Sequence, residues 1–354
     1  MTSPHHAAHG RGVSTNPPNR FERLRYEAEL EDEVQDRPGP RTQFLKDTSR
    51  SIIATNDSPD VGFSASINPY RGCEHGCAYC YARPSHEYLG FSAGLDFESK
   101  ILVKEDAPAL LRHELAAPRW QPQVLGISGV TDPYQPVERR LQLTRRCLEV
   151  LAEFRNPAAI ITKNHLVTRD LDVLAELARH DAVVVFLSVT TLDGELGRTL
   201  EPRASQPSGR LAAIEELSRA GVPVGVMVAP IIPGLTDHEM PAILAAAAQA
   251  GARFAGYTML RLPLAVAPIS EQWLSQNVPE KKDKVLARLR EIRSGKLNDP
   301  RFGSRMRGEG LLAETIKDLF RMARKRAGIG ARDLNLSTAA FRRPGQAQGL
   351  LFDC

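Results

Sequence analysis

Three of the chain's five cysteines fall within eight residues, in the stretch RGCEHGCAYC at 71–80. Their spacing is Cys73-x3-Cys77-x2-Cys80. Three thiolates on one short loop are ligands for a soft metal. A closed structural zinc site takes four ligands, and the nearby fourth would be His75 or His86. His75 lies inside the tight loop and is badly placed to complete a tetrahedron made by its neighbours; His86 could reach. A four-iron cluster ordinarily takes four cysteines. No fourth is close: Cys147 lies on a predicted helix and Cys354 is the last residue. Three ligands would leave one iron open to a substrate or cofactor, an arrangement for chemistry rather than for structure alone. The open cluster is the favoured reading, and zinc is the alternative.

Such a loop needs a scaffold. Short apolar runs at 64–70, 124–130, 158–163, 182–189, 222–229 and 254–260 read as strands. They are β-branched or apolar nearly throughout, as strands buried on both faces are. Amphipathic patterns at 107–116, 137–154, 171–180, 208–221 and 238–251 read as the helices between them. Strand and helix in alternation predict parallel βαβ units. Right-handed crossovers curl these into a barrel or partial barrel with its reactive groups in loops after strand ends. The cysteine loop follows the first strand, where that rule places a site.

The 354 residues bound the rest. Residues 1–50, rich in Pro, Arg, Glu, Asp and Asn, predict a flexible arm, with a short charged helix possible around 19–33. His5, His6 and His9 read as part of an inert tail. Residues 51–262 carry the alternation, and 263–354 read as a basic, mostly helical extension. Within 281–345 there are 18 Lys and Arg against 7 Asp and Glu. No run nears the roughly 18 apolar residues of a membrane span, and the first residues lack an apolar signal core. A cytoplasmic location is therefore expected, where thiols stay reduced and clustered cysteines read as ligands.

With Tyr79 just before its last cysteine, the triad resembles the signature of the radical SAM enzymes. The surrounding SINPYRGCEHGCAYCYARPSHEYLG and the later TDPYQPVE are similar to a narrower group, the spore photoproduct lyase-like (DNA-repair-photolyase-like) proteins, mostly without an assigned reaction. The resemblance implies an α/β fold, a partial (β/α)6 radical SAM barrel. It also implies a [4Fe-4S] cluster on Cys73, Cys77 and Cys80, with S-adenosylmethionine on the unique iron. One electron, from a reductant such as flavodoxin or ferredoxin, would cleave that cofactor so that a hydrogen atom is taken from an unidentified substrate.

A sulfonium amino acid with an adenosine needs a partner for its carboxylate, polar partners for its ribose and a flat face for adenine. Lys163 and Ser188, at the ends of the third and fourth predicted strands, are candidates for the polar groups. Tyr79 and Tyr81 resemble family positions that contact adenine or the polar end. Many members carry Gly-Gly-Glu after the second strand; this chain departs from it and offers Thr131, Asp132, Gln135 and Glu138. Glu201 with Arg203 or Arg210 would frame the ribose or substrate, or form a surface ion pair. Pro233 and Gly234 supply a turn resembling the loop beneath adenine. Cys147, on a helical face with Leu143, Val150, Leu151 and Phe154, reads as core; it does not match the extra cysteine by which spore photoproduct lyase donates hydrogen. The basic zone is expected to bind nucleic acid or an acidic reductase, or to be structural, as a solvated face or a lid packed on an acidic barrel. A nucleic acid would be held over the barrel mouth by several of Arg301, Arg305, Arg307, Arg324, Lys325 and Arg326. The alternative for the whole chain is a non-enzymatic nucleic-acid-binding protein with a structural metal.

Overall fold

A computed structural model describes residues 10–22, 40–330 and 335–344. The strands are β1 (Gln43–Lys46), β2 (Ile53–Thr55), β3 (Ala65–Ile67), β4 (Tyr70–Arg71), β5 (Lys100–Val103), β6 (Leu125–Ile127), β7 (Ala158–Thr162), β8 (Val183–Ser188), β9 (Val224–Ile231) and β10 (Phe254–Met259). The α-helices are α1 (Leu95–Ser99), α2 (Ala107–Ala116), α3 (Glu138–Leu141), α4 (Leu143–Phe154), α5 (Leu171–Ala178), α6 (Gly194–Leu200), α7 (Pro207–Arg219), α8 (Met240–Gln249), α9 (Val266–Asn277), α10 (Pro279–Glu291), α11 (Ser304–Arg307) and α12 (Leu311–Arg326).

The main sheet runs in the order β10-β9-β8-β7-β6-β3-β2. Its six strands from β3 to β10 are parallel; β2 adds an antiparallel edge. Helices fill every crossover, as the alternation predicts, and among the described residues no ladder joins β10 to β2, so the barrel is partial. Val183, Val185 and Leu187 of β8 are buried against the helices, while Phe186 lies across Gly225 of the next strand. Both faces of the strand are therefore covered, which is why its sequence does not alternate.

The structure departs from or adds to the sequence reading in four places. The single strand expected over 64–70 is two, because Pro69 has no N–H to give a ladder and disfavours helix before it. After Pro69 the chain leaves the main sheet for a small one ordered β1-β5-β4, and the cysteine loop begins at its end. The helix expected over 137–154 breaks at Gln142, whose backbone is left-handed with φ 51°; the Glu138 carboxylate accepts from Thr144 N (3.1 Å) and caps α4.

The described parts of the arm are packed rather than flexible. Arg11, Val13 and Asn19 are buried, and β1 pairs in parallel with β5. Residues 10–22 cross the cysteine loop as a strap; the histidine tail and most of the 19–33 segment lie outside the described residues. Finally, the basic extension shares the barrel's core: Leu289 and Phe320 belong to the same apolar cluster as Val185 and Leu244. Phe320 stacks on Tyr257 of β10 at 4.7 Å.

Candidate cofactor site

The cysteine loop is fixed from all sides. Cys73 N donates to Phe97 O (2.9 Å) and Ala78 N to Leu200 O (3.2 Å). Arg83, fully buried, donates to Cys77 O from Nε (3.0 Å) and Nη2 (2.9 Å), and pairs with buried Glu98 at 2.5 Å. The strap closes the far side. Gly12 N donates to Glu98 Oε2 (3.0 Å), and a Cβ on Gly12 would stand 1.5 Å from Gly76 O. Only a glycine lets the strap come so near the loop.

Cys73 and Cys77 are buried, Cys80 is half-buried, and all three are free thiols. Burial pushes Cys77 and Cys80 up, the latter to about 11; Glu201 adds to the rise at Cys77 and Cys73 adds to that at Cys80. Lys163 pulls both down. A bound metal would take these protons' place. Among the described residues no three His, Cys, Asp or Glu side chains converge tightly enough to hold one metal ion. His86 Nε2 lies 2.9 Å from Lys100 O and so carries its hydrogen there, and the ring packs against Phe91 and Phe97. Its Nδ1 has no partner, but it joins no ligand group. His75 instead faces Asp132 (3.4 Å) and Asn164 (3.1 Å).

Behind the loop lies a buried polar network. Glu201, 1% exposed, accepts from Tyr79 Oη, from Thr190 Oγ1 (2.7 Å) and from Arg210 Nη2. Burial alone would raise this carboxyl, but Arg210 and Lys163 outweigh it and hold it at about 2. Arg210, equally buried, also donates to Ser205 O (2.7 Å) and Ser188 O (3.0 Å). The pair is thus no surface ion pair: it ties α7 to β8. Arg203 goes elsewhere, to Glu74 at 3.2 Å. Lys163 sits at the end of β7, with Nζ 2.9 Å from Ala229 O and 3.5 Å from Glu201. Its side chain keeps 15% of its exposure, against 1% for Glu201.

The residues after β6 divide. Asp132 accepts from Thr162 Oγ1 (2.7 Å) and Lys163 N (2.8 Å), joining the loops after β6 and β7. Gln135 is spent on the cysteine loop, accepting from Glu74 N (2.9 Å) and donating to Gly72 O (3.2 Å) and Thr131 Oγ1 (2.9 Å). Glu138 is fully buried away from the mouth, held by Tyr70 Oη and Arg169 (2.9 Å) besides its cap. Ser188 is buried at the end of β8. Tyr81 is 47% exposed; its hydroxyl donates to Gly129 O (2.8 Å), and Arg261 lies over its ring at 4.6 Å. Gly234 turns with φ +89° beyond β9, its N–H on Asp237 (2.9 Å). Cys147 is fully buried in the core.

The basic zone does not lie across the mouth as an open cationic face. Arg301 pairs with Asp299 (2.9 Å) and Glu309 (2.7 Å). Arg305 pairs with Asp60 at 2.5 Å, and Arg307 donates to Tyr257 O (2.7 Å) and stacks on that ring. These three, expected to meet phosphate, each have a partner within the chain, although Arg301 keeps 60% of its exposure. Arg324, Lys325 and Arg326 remain at the end of α12, which packs on α8.

Sequence reasoning missed Arg83, Glu98, Glu74, Gly12 and Arg261. Arg83 lies in the quoted cysteine stretch, but its partner depends on the fold of α1. Nothing in the composition of the arm marks Gly12 as a contact.

The Radical SAM superfamily model matches residues 67–247. An uncharacterized protein of Mycobacterium tuberculosis (strain ATCC 25618 / H37Rv) is 38% identical over 244 residues, 68% of this chain and 71% of that one. An uncharacterized protein of Methanocaldococcus jannaschii is 29% identical over 199 residues, 56% of this chain and 71% of its own. Among solved structures, a spore photoproduct lyase variant with bound S-adenosylmethionine and dinucleoside spore photoproduct aligns with a TM-score of 0.59. It covers 83% of this chain and 82% of that one at 17% identity, a likeness of fold. The matched segment spans half of the chain and contains all three cysteines, and the chain belongs to the radical SAM superfamily.

Proposed function

We propose that the protein is a radical SAM enzyme that holds a [4Fe-4S] cluster on Cys73, Cys77 and Cys80 and binds S-adenosylmethionine beside it. The observation that carries this reading is the pinned loop of three free thiols at the barrel mouth, with the partly buried Lys163 beneath it. Three cysteines with no fourth cysteine near them in the sequence suit a cluster with one iron left open better than a closed four-ligand zinc site. When bound, the cluster and cofactor together supply a one-electron cleavage giving methionine and a hydrogen-abstracting 5′-deoxyadenosyl radical.

The chain's residues do the rest. Arg83, Gln135 and the strap fix the loop and exclude water from its outer side. Lys163 offers its ammonium to the cofactor carboxylate, while Ala229 O, Glu201 and the Tyr79 ring hold that ammonium in place and Arg210 orients Glu201. Asp132 fixes the Lys163 backbone. Ser188 and the Tyr81 face line the same mouth. The electron comes from a protein of the flavodoxin or ferredoxin class. The spore photoproduct lyase likeness is one of fold, so its lesion is not carried over as substrate.

The test is anaerobic reduction with S-adenosylmethionine present. 5′-Deoxyadenosine should form, slowly without substrate. A cluster-loaded, reduced protein that forms none would overturn the enzyme reading and return the chain to a binding protein with a structural metal.

A further inference from the structure

Arg261 stands two residues beyond β10, the last parallel strand, at the end of the barrel where reactive groups collect. Its guanidinium lies 4.6 Å from the centre of the Tyr81 ring, and Tyr81 directly follows Cys80. Tyr81 is itself anchored to Gly129 O beyond β6. Arg261 is therefore held between the cysteine loop and the open edge of the sheet.

Among the described residues this guanidinium has no hydrogen bond and no ion pair. Its neighbours are all spent. Arg293 donates to Leu260 O (2.6 and 3.1 Å), Arg305 to Asp60, and Arg307 to Tyr257 O. Asp60 is near enough to attract Arg261, but its two oxygens accept from Gly303 N (2.7 Å) and Arg305 Nε (2.5 Å). Burial works against the charge of Arg261, and Arg305 repels it. A half-buried cation without a partner is unfavourable. One stacked on an aromatic ring keeps its N–H donors at the edge, in the fork that matches an oxyanion. Beside it, a cleft of about 360 Å3 runs along the same strand, lined by Asp60, Met227, Gly256, Thr258 and Arg307 among others.

We propose that Arg261 binds an oxyanion of the substrate, a phosphoryl or carboxylate group, and so places the rest of that molecule at the barrel mouth. The proposal rests on the radical SAM reading for the word substrate, but not for the anion site. A competing occupant is the cofactor's own carboxylate.

The cluster-loaded full chain is labelled anaerobically with phenylglyoxal and each arginine is read by mass spectrometry. Arg261 should react well ahead of Arg305 and Arg210. Inorganic phosphate or acetate should slow labelling at Arg261 and not at exposed Arg326, and whichever anion protects more names the group. S-adenosylmethionine alone should protect little. Binding of inorganic phosphate, followed by phosphorus NMR, should weaken roughly tenfold or more in Arg261→Gln and stay unchanged in Arg326→Gln, with circular dichroism confirming both folds. Labelling no faster than Arg305, no protection by either anion, or full protection by S-adenosylmethionine alone would each overturn the proposal. Cofactor cleavage is measured separately on the parent, so its failure would leave the anion result standing.

Discussion

Gly12→Ala tests whether the strap is part of the site. Gly12 has no positive φ, so the substitution adds a methyl group without backbone strain. That methyl would stand 1.5 Å from Gly76 O and 2.7 Å from Gly76 C, both backbone atoms of the cysteine loop. Neither can turn aside as a side chain would, so the strap must lift. Lifting gives up the bond from Gly12 N to Glu98, a charged acceptor worth about 1.5–3 kcal/mol. Overpacking elsewhere in proteins costs about 1–3 kcal/mol. Local opening of the strap should therefore become easier by about 2 kcal/mol or more, a roughly thirtyfold rise in the exchange of its amides where exchange follows local opening. Hydrogen–deuterium exchange of peptides covering 10–22 reads this directly, and loss of cluster absorbance in air should quicken with it. Unchanged exchange in the variant would refute the placement of the strap against the loop.

Other outcomes follow from the same geometry. Glu201→Gln leaves Arg210 buried without its partner and should destabilise the protein by about 3–5 kcal/mol in urea titrations. The Glu201 carboxyl lies at about 2 in the fold against an ordinary 4.5. Its stabilisation is therefore present above pH 4.5 and lost as pH falls toward 2, and the Gln variant should lack that component of the pH dependence. Lys163→Ala should weaken S-adenosylmethionine binding while the cluster absorbance stays; equal binding would mean that Lys163 is wrongly assigned. With Arg301, Arg305 and Arg307 already partnered within the chain, Arg324, Lys325 and Arg326 are the first of the named cations to test for nucleic-acid binding. Replacing these three with Gln should then reduce the log–log salt slope by about 0.7–0.9 per phosphate lost, and a parent that shows no salt-dependent binding would remove nucleic acid as a partner.

The six parallel strands were legible because each is a short apolar run closed by a turn, and the cysteines because their spacing is chemistry in itself. Lys163 was legible as a strand-end cation. What stayed hidden depends on partners far apart in the chain. Glu201 and Arg210 read as a frame for ribose or substrate or as a surface pair, since nine residues of loop and helix do not reveal that both ends are buried. Glu138 looked like a site residue because it follows a strand, yet it caps the next helix. The arm looked flexible because its composition is polar, while its polar side chains, Arg11 and Asn19 among them, find backbone carbonyls far along the chain and one glycine lets it approach the loop. The basic zone stayed open between a binding face and a structural lid because a count of charges does not show which arginines find acids within the fold.

Iron, zinc and acid-labile sulfide analysis of anaerobically purified protein tests the central claim most directly, with electron paramagnetic resonance of the reduced form. About four iron and four sulfide per chain are expected, with absorbance near about 400 nm lost in Cys73→Ala, Cys77→Ala or Cys80→Ala. Added S-adenosylmethionine should change the resonance, because one iron is open to it. Stoichiometric zinc without labile sulfide, or a cluster whose resonance ignores the cofactor, would contradict the account.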